Sequence, residues 1–468
     1  MNDSEKTELT AANDNPWYWL ATLFGEQTGD LIDDVLAKKN RIAWNRWVSE
    51  ALNEKERTAI IDKGFDAAEL TPFSDAEKKE HYAAVLKRSG RESITLPEPS
   101  EPADFDSNRF DNFCYFVAYL FPSPISFESS TFCKHAKFWT AIFSSRANFS
   151  SVTFSREAYF SSAKFSRGAD FGSATFSRHA DFNLGKFSEG AFFRSATFCR
   201  DADFRSATFS AYADFKSATF SWANYGSAIF SENANFWSTI FREAVNFGSA
   251  KFALDADFVN TKFLTVTAFS NAVFRSATPK FFGATLHEGT AWDGVEWPSP
   301  PHDRDNRKKI EAAQQQVYAY ERLKQEMEKL KKHEDEQFFF RKELRARREL
   351  YTWRSTYWWL NFFYENLSNY GYGVVRPLVA FTALFFFGFA LLAADPLGFA
   401  GKTLSIGDAA FTSLANMFGS LPLKTLAHYT TDKTFAYSAE IFAIFQTIAG
   451  AVLLFLFFLA LRNRFRLR

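Results

Sequence analysis

The chain has few of the residues from which catalytic and metal sites are usually built. Its 468 residues include only 3 Cys and 7 His. Three cysteines cannot supply a four-cysteine zinc site or a disulfide framework, and no His, Cys or Glu set has metal-ligand spacing. The chain also lacks a phosphate-binding loop and the Gly-x-Ser-x-Gly nucleophile motif. We therefore predict a protein that is not an enzyme and that carries no cofactor or metal.

The chain also lacks an excess of charge of either sign. Its 54 Lys and Arg residues equal its 54 Asp and Glu residues, so the formal net charge is zero. This balance excludes a globally basic nucleic-acid binder and a globally acidic protein. The first fifteen residues are polar and acidic, with no basic segment followed by an apolar one. We therefore expect no cleaved signal peptide.

Two long uncharged segments near the C-terminus, Pro377–Ala394 and Ile441–Leu461, predict membrane spans. At about 1.5 Å per residue, the longer segment covers about 30 Å, the thickness of a hydrocarbon core. Arg residues flank the outer ends of both segments, and only Lys402, Lys424 and Lys433 lie between them. The positive-inside rule then predicts two spans with both termini in the cytoplasm and membrane lipid as a partner. A pair of buried core helices is the alternative.

Phe is abundant, with 58 residues, and it recurs in alternating steps of five and six residues from Phe127 to Phe274. One residue is missing between Phe220 and Tyr225, where the step is five instead of six. Neither an α-helix nor a straight strand places such a set on one face. The pattern is satisfied if the chain turns a corner every five or six residues, as in a solenoid. We predict about seven coils of about 22 residues, with these candidate core positions: Phe165, Phe171, Phe176, Phe182, Phe204, Phe209 and Phe215.

The segments Ala169–Phe171, Ala180–Phe182 and Ala213–Phe215 match the motif Ala-(Asp/Asn)-(Leu/Phe)-x-x. Over about 150 residues the chain thus resembles the pentapeptide-repeat family, with a six-residue step in every second repeat as a departure. The resemblance implies a right-handed quadrilateral β-helix with four repeats per coil. The segments Asn15–Glu26 and Trp44–Trp47 resemble the N-terminal part of bacterial membrane-linked members. This likeness implies the bacterial inner (cell) membrane as the location.

One function in this family is mimicry of DNA, by which an acidic repeat surface binds gyrase. Between Ser126 and Leu286, however, seventeen Lys and Arg residues face twelve Asp and Glu residues, a net charge of +5. A DNA mimic needs a densely negative surface. DNA mimicry is therefore only a minor alternative, and no nucleic-acid partner is expected.

We predict a mixed fold: a right-handed quadrilateral β-helix with an α-helical N-terminal cap, a helical hairpin and two C-terminal transmembrane helices. The expected domains are residues 1–100, a helical cap region and linker; 101–286, the repeat solenoid; 287–352, a linker and charged helical hairpin; 353–376, an interfacial aromatic helix; and 377–468, a two-span membrane domain with a re-entrant helix.

The stretch between the spans predicts a short apolar helix over Ser405–Gly419, which is too short to cross a membrane. The order of span, short helix, extended segment and span resembles two-span pore-loop ion channels. That resemblance implies a homo-oligomer with ions passing through a pore. The chain lacks the Thr-Val-Gly-Tyr-Gly sequence of potassium channels, so potassium selectivity is not implied. The candidate pore or re-entrant residues are Ser405, Asn416, Gly419, Ser420, Pro422, Glu440 and Gln446. Alternatively, Glu440 lies at headgroup depth and Gln446 bonds a neighbouring helix.

Two functions remain open from the sequence. The first is an oligomeric membrane protein with a channel-like two-span pore domain, whose cytoplasmic repeat domain serves assembly, docking or gating. The second is a membrane-anchored scaffold that binds a cytoplasmic protein partner without conduction.

Overall fold

The computed structural model describes residues 9–29, 31–62, 64–299, 306–394, 405–418 and 433–466. The chain divides into two compact units, Met1–Ser299 and Pro300–Arg468. The first unit combines short helices with a parallel β-solenoid, and the described part of the second consists of helices.

Short helices precede the solenoid in the first unit. They are α1 (Pro16–Ala21), α2 (Asp34–Val48), α3 (Glu54–Ile61) and α4 (Asp75–Ser89), with 3-10 turns at Ala12–Asp14, Ser49–Ala51 and Ala67–Leu70. Each α-helix begins after a side chain that accepts a hydrogen bond from its first turn, namely Asn15, Asp33, Asn53 and Ser74. Such N-caps satisfy amide groups that otherwise lack a partner, so they explain where these helices start.

These helices pack against the first coil of the solenoid. The Trp44 indole Nε1 donates a hydrogen bond to the Leu120 carbonyl at 2.8 Å, and the Leu120 amide donates to Asn45 Oδ1 at 2.9 Å. The Tyr119 hydroxyl donates to the carbonyl of Ala21 at 2.8 Å. A two-residue strand, Thr10–Ala11, pairs in parallel with Asn108–Arg109. Trp44 and Asn45 therefore contact the solenoid directly.

The solenoid consists of short parallel strands in four columns, because each strand pairs with its equivalent one coil further along the chain. The first column contains Ala103–Asp104, Ile125–Ser126, Ala147–Asn148, Ala169–Asp170, Ala191–Phe192, Ala213–Asp214, Ala234–Asn235 and Ala256–Asp257. The second contains Asn108–Phe110, Thr131–Phe132, Thr153–Phe154, Thr175–Phe176, Ile240–Phe241 and Lys262–Phe263.

The third column contains Cys114–Tyr115, Ala136–Lys137, Ala158–Tyr159, Ala180–Asp181, Val245–Asn246 and Thr267–Ala268. The fourth contains Leu120–Phe121, Ile142–Phe143, Lys164–Phe165, Lys186–Phe187, Thr208–Phe209, Ile229–Phe230, Lys251–Phe252 and Val273–Phe274. Two longer strands, Thr197–Asp203 and Thr219–Asn224, turn a corner and belong to both the second and the third columns.

The strand register gives the length of each coil. Phe187 pairs with Phe209, 22 residues later, whereas Phe209 pairs with Phe230, 21 residues later. The residue missing from the Phe pattern therefore shortens one coil. The solenoid has about eight coils, so the expectation of about seven is wrong by one. The same steps of five and six extend backwards through the buried Phe105, Phe110, Phe116 and Phe121, which form the coil that the range from Phe127 to Phe274 leaves out.

The corners with five-residue steps have a backbone that non-glycine residues seldom adopt. From Ser107 to Asn271, one residue in every 11 has a φ between 54° and 59°, and the interval is 10 only between Ser217 and Ser227. At one such corner the Ala174 amide donates to the Phe171 carbonyl at 3.1 Å, which closes a β-turn with the positive φ at its third residue. The corner geometry therefore repeats once every two motifs.

The Asp or Asn of each motif stabilises these corners. The carboxylate of Asp170 accepts a hydrogen bond from the Gly172 amide at 2.8 Å, and Asn224 Oδ1 accepts one from the Gly226 amide at 2.9 Å. This link from a side chain to the amide two residues later is the Asx turn. It explains why the position before the core Phe is Asp or Asn in so many repeats.

Stacked aromatic rings fill the interior of the solenoid. The ring of Phe182 lies 5.0 Å from Phe160 and 4.9 Å from Phe204, with interplanar angles of 2° in both pairs. It also meets Phe193 edge-on at 5.4 Å. Aromatic pairs favour such offset-stacked and edge-on contacts. The seven candidate core residues are all fully buried, with at most 1% of any of them exposed: Phe165, Phe171, Phe176, Phe182, Phe204, Phe209 and Phe215.

The second unit contains six described helices: α5 (Asn306–Lys329), α6 (His333–Arg348), α7 (Thr356–Ser368), α8 (Val375–Ala394), α9 (Ile406–Met417) and α10 (Lys433–Arg466). The helices α5 and α6 form a hairpin. Its interior includes Val317, Leu323 and Phe339, and an ion pair of 2.6 Å joins Lys324 to Glu343 across it. These buried side chains and the ion pair hold the two helices together.

Two segments are long and apolar enough to cross a membrane, Val375–Ala394 of α8 and Ile441–Phe465 of α10. Most of their side chains are not buried within the described chain, and the exposed ones include Phe386, Phe387 and Phe455. A core helix of a water-soluble protein is usually covered on most sides, whereas a span exposes its apolar surface to lipid. By length, composition and exposure, both helices are therefore able to cross a membrane.

Candidate functional site

The short helix α9 packs against both long apolar helices, and two glycines allow this close approach. A Cβ atom at Gly388 of α8 would lie 2.6 Å from Ser413 Oγ of α9, and it would also collide with the amide of Gln446. A Cβ at Gly450 of α10 would lie 2.6 Å from the Met417 carbonyl oxygen. Small residues at such crossings let helix backbones approach closely. The two glycines therefore fix where α9 sits.

A buried polar cluster links the three helices at this point. The Gln446 amide Nε2 donates to Ser413 Oγ at 2.8 Å, and the Asn416 Nδ2 donates to Gln446 Oε1 at 3.3 Å. Thr447 Oγ1 donates to the Asn416 carbonyl at 2.7 Å, and Ser413 Oγ donates to the Phe385 carbonyl at 2.9 Å. Gln446 and Ser413 have no exposed surface, and Asn416 is 5% exposed.

This cluster positions α9 and contains no reactive group. None of its side chains ionises near neutral pH, so the cluster offers no general acid, general base or charged ligand. Hydrogen bonds between helices in a membrane typically contribute about 0.6 to 2 kcal/mol each. Several such bonds on one short helix hold α9 in a fixed place and orientation between α8 and α10.

The candidate residues predicted from the sequence fall into three groups. Ser405 caps α9, where its Oγ accepts a hydrogen bond from the Asp408 amide at 3.2 Å. Asn416 and Gln446 are brought into contact inside one chain, and a pore-lining role for them stays a prediction. Gly419, Ser420 and Pro422 lie outside the described residues. Glu440 belongs to α10, but its side chain lies outside the described part of the chain.

Sequence reasoning missed four residues that build this site: Gly388, Ser413, Thr447 and Gly450. The sequence did carry a signal for the two glycines, because each lies among larger apolar residues of a predicted span. Small residues at such positions favour close contact with another helix. Ser413 and Thr447 carried no comparable signal. The hydroxyl of a helical Ser or Thr often donates to a backbone carbonyl of the same helix. Whether it also has a partner on another helix is therefore seen only in the structure.

A second polar cluster ties the aromatic helix α7 to the basic helix α6. Glu365 Oε1 accepts a hydrogen bond from the Arg345 Nε at 2.7 Å, and the same carboxylate pairs with Arg348. Burial alone would raise the pKa of Glu365, but the two guanidinium groups outweigh it and lower that pKa below its ordinary value. On α7, Trp359 is 43% exposed.

An aromatic surface surrounds one lysine on the third column of the solenoid. The ammonium of Lys137 lies 5.9 Å, 4.9 Å and 5.7 Å from the ring centres of Tyr115, Trp139 and Tyr159. These four residues, called the Lys137 surface below, include Trp139, which is 37% exposed. Burial lowers the pKa of Lys137. Tyr and Trp are enriched where protein partners bind, so this surface is a candidate docking site.

Comparisons with protein families, with curated proteins and with solved structures found no match to this chain. The parallel solenoid and its regular Phe spacing are consistent with pentapeptide repeats. Within the described ranges, no group of three or more His, Cys, Asp or Glu residues could hold a metal ion.

Proposed function

We propose that this chain is one subunit of an oligomeric, channel-like membrane protein that carries a cytoplasmic repeat domain. The observation that supports the proposal is the packing of α9 between α8 and α10, held by Gly388, Gly450 and the cluster around Gln446. A short helix fixed between two spans can direct the segment that follows it toward the axis of an oligomer. Two spans cannot enclose a pore alone, so conduction requires several copies.

In this proposal α8 and α10 cross the bacterial inner membrane, and both termini lie in the cytoplasm. The solenoid is a right-handed quadrilateral β-helix, and the N-terminal helices cap its first coil. The contacts of Trp44 and Asn45 with Leu120 support the cap, because they cover backbone groups at the end of the coil. The protein has no enzymatic role, and its repeat domain serves assembly, docking or gating.

Reconstitution of the purified full chain in planar bilayers tests conduction. Reproducible unitary currents are expected from the unchanged protein. The substitution Gly388→Leu is expected to abolish them, because its side chain collides with Ser413 and Gln446. Gly407→Leu is the matched control, since a Cβ at Gly407 of α9 meets nothing within 4 Å. A silent unchanged protein, or currents that persist in Gly388→Leu, would refute the proposed role of α9.

A membrane-anchored scaffold without conduction is the second candidate, and the Lys137 surface favours it. A partly exposed aromatic set on a rigid solenoid suits the binding of a cytoplasmic protein. A protein that is monomeric and silent in bilayers, yet remains membrane-bound, would support this candidate. We do not propose DNA mimicry, because basic residues outnumber acidic ones between Ser126 and Leu286.

A further inference from the structure

An apolar groove of about 740 Å³ runs between α8 and α10 on faces that α9 does not occupy. Ala380, Ala383 and Phe387 of α8 form one wall, and Ile448 and Val452 of α10 belong to the other. Two side chains of α7 also line the groove. The contacts of α9 use other faces of the same helices, through Gly388 and Gly450. The groove is thus an open, apolar feature of a single chain.

Arg376 lies one turn of α8 before Ala380, a residue that lines this groove, and it contacts α7. The spacing of Arg376, Ala380, Ala383 and Phe387 by four, three and four residues places all four on one face of α8. The guanidinium Nη1 donates a hydrogen bond to the Glu365 carbonyl of α7 at 2.9 Å. No carboxylate within the described chain forms an ion pair with Arg376, whose side chain is exposed and has further N–H donors. A positive charge therefore lies one helical turn before the apolar groove on the same face of α8.

The length of this arrangement decides between two kinds of occupant. From Arg376 to Phe387, α8 rises about 16 Å at about 1.5 Å per residue. This is about half of a hydrocarbon core of about 30 Å, hence the depth of one leaflet. A transmembrane helix from a second copy would run through both leaflets and would gain nothing from a cation at one end. A lipid acyl chain ends within one leaflet, beneath a headgroup at the level of the cation.

We propose that this groove binds one acyl chain of an anionic phospholipid and that Arg376 pairs with the phosphate of the same lipid. The inference rests on the proposed membrane location of α8 and α10, but it does not require conduction. The proposed orientation places Arg376 at the cytoplasmic leaflet, where anionic lipids give the surface its negative potential.

Native mass spectrometry of the full chain tests this site. The delipidated protein is titrated with phosphatidylglycerol or with phosphatidylcholine that carries the same acyl chains. About fivefold stronger retention of phosphatidylglycerol is expected, the effect of one Arg near an anionic surface. Arg376→Gln is expected to remove this preference, whereas Arg464→Gln, an exposed Arg at the end of α10, is expected to keep it. Equal retention of the two lipids, or an unchanged preference in Arg376→Gln, would overturn the proposal.

A second pair of variants tests the groove itself. Ala380→Phe fills the groove and is expected to reduce retention of both lipids severalfold. Val379→Phe adds the same ring on an exposed face outside the groove and is expected to change nothing. If Ala380→Phe instead leaves lipid retention intact and dissociates an oligomer, a second copy occupies the groove and the proposal fails. A conducting protein without lipid preference would refute this inference alone, whereas a protein absent from membranes would refute the proposed function.

Discussion

Replacement of Tyr225 by Phe is expected to stabilise the solenoid, because this residue brings a hydroxyl into a core of Phe and Ala. Its ring stacks 4.9 Å from Phe204 and 5.0 Å from Phe247, and none of its surface is exposed. Its hydroxyl is buried without a hydrogen-bond partner in the described chain. Burial also raises the pKa of Tyr225 well above its ordinary value, so the group is neutral.

The magnitude follows from the missing partner. A buried polar group without a hydrogen bond costs about 1 to 3 kcal/mol. Tyr225→Phe removes that cost and leaves the ring stack unchanged. For a domain of about 150 to 250 residues, 1 kcal/mol shifts the unfolding temperature by about 2 to 4 °C. An increase between about 2 and 12 °C is therefore expected, and circular dichroism of the β-structure during heating measures it.

Two variants serve as controls for this prediction. Phe204→Tyr places a hydroxyl at an equally buried position of the same stack and is expected to lower the unfolding temperature by a similar amount. Tyr212→Phe removes a hydroxyl that accepts a hydrogen bond from Asn235 at 2.9 Å, so a loss below about 1.5 kcal/mol is expected. A lower unfolding temperature in Tyr225→Phe would refute the reasoning, because it would reveal a partner for the hydroxyl.

Three further predictions address the corners, the α9 site and the α6–α7 link. Ser173 has a φ of 56°, so Ser173→Val is expected to lose about 1 to 3 kcal/mol in denaturant unfolding, whereas Ser173→Gly is tolerated. Gly388→Ala is expected to weaken the packing of α9 by about 1 to 3 kcal/mol, measured as faster hydrogen exchange in α9. Glu365→Gln is expected to destabilise the helical unit at neutral pH and to remove part of its acid sensitivity. Because the folded-state pKa of Glu365 is lowered, its contribution is present above the ordinary value of 4.5 and is lost as the pH falls through the folded value.

Each of these predictions has a contrary outcome. Equal stability of the Val and Gly variants at Ser173 would show that the positive φ is not maintained in solution. Unchanged exchange in Gly388→Ala would mean that α9 is not held at this crossing. If the unchanged protein and Glu365→Gln show the same dependence of stability on pH, the ion pairs of Glu365 with Arg345 and Arg348 do not stabilise the fold.

The solenoid could be predicted from the sequence because its constraint is local and repeated. Steps of five and six residues exclude both a helix and a straight strand, so the chain has to turn a corner between core residues. The position of the shortened coil near Tyr225 was visible for the same reason. The positive φ at the five-residue corners was not visible, because Ser at residue 173 adopts it only when the neighbouring coils hold it there.

The candidate site was predicted only in outline. The lengths and charges of the apolar segments indicated two spans, and the short apolar stretch Ser405–Gly419 indicated where α9 lies. The contact between Asn416 and Gln446 joins residues 30 positions apart on different helices, and no periodicity connects them. It depends on the approach that Gly388 and Gly450 permit, which is a property of packing between helices rather than of any one segment.

Separation of cell lysates without detergent tests the central claim most directly. After ultracentrifugation and an alkaline wash of the membranes, the full chain is expected in the membrane pellet. A chain that ends at Ser299 is expected in the supernatant, because both apolar helices lie beyond that residue. Recovery of the full chain in the supernatant would contradict the account, since the exposed apolar faces of α8 and α10 would then have to be covered by protein instead of lipid.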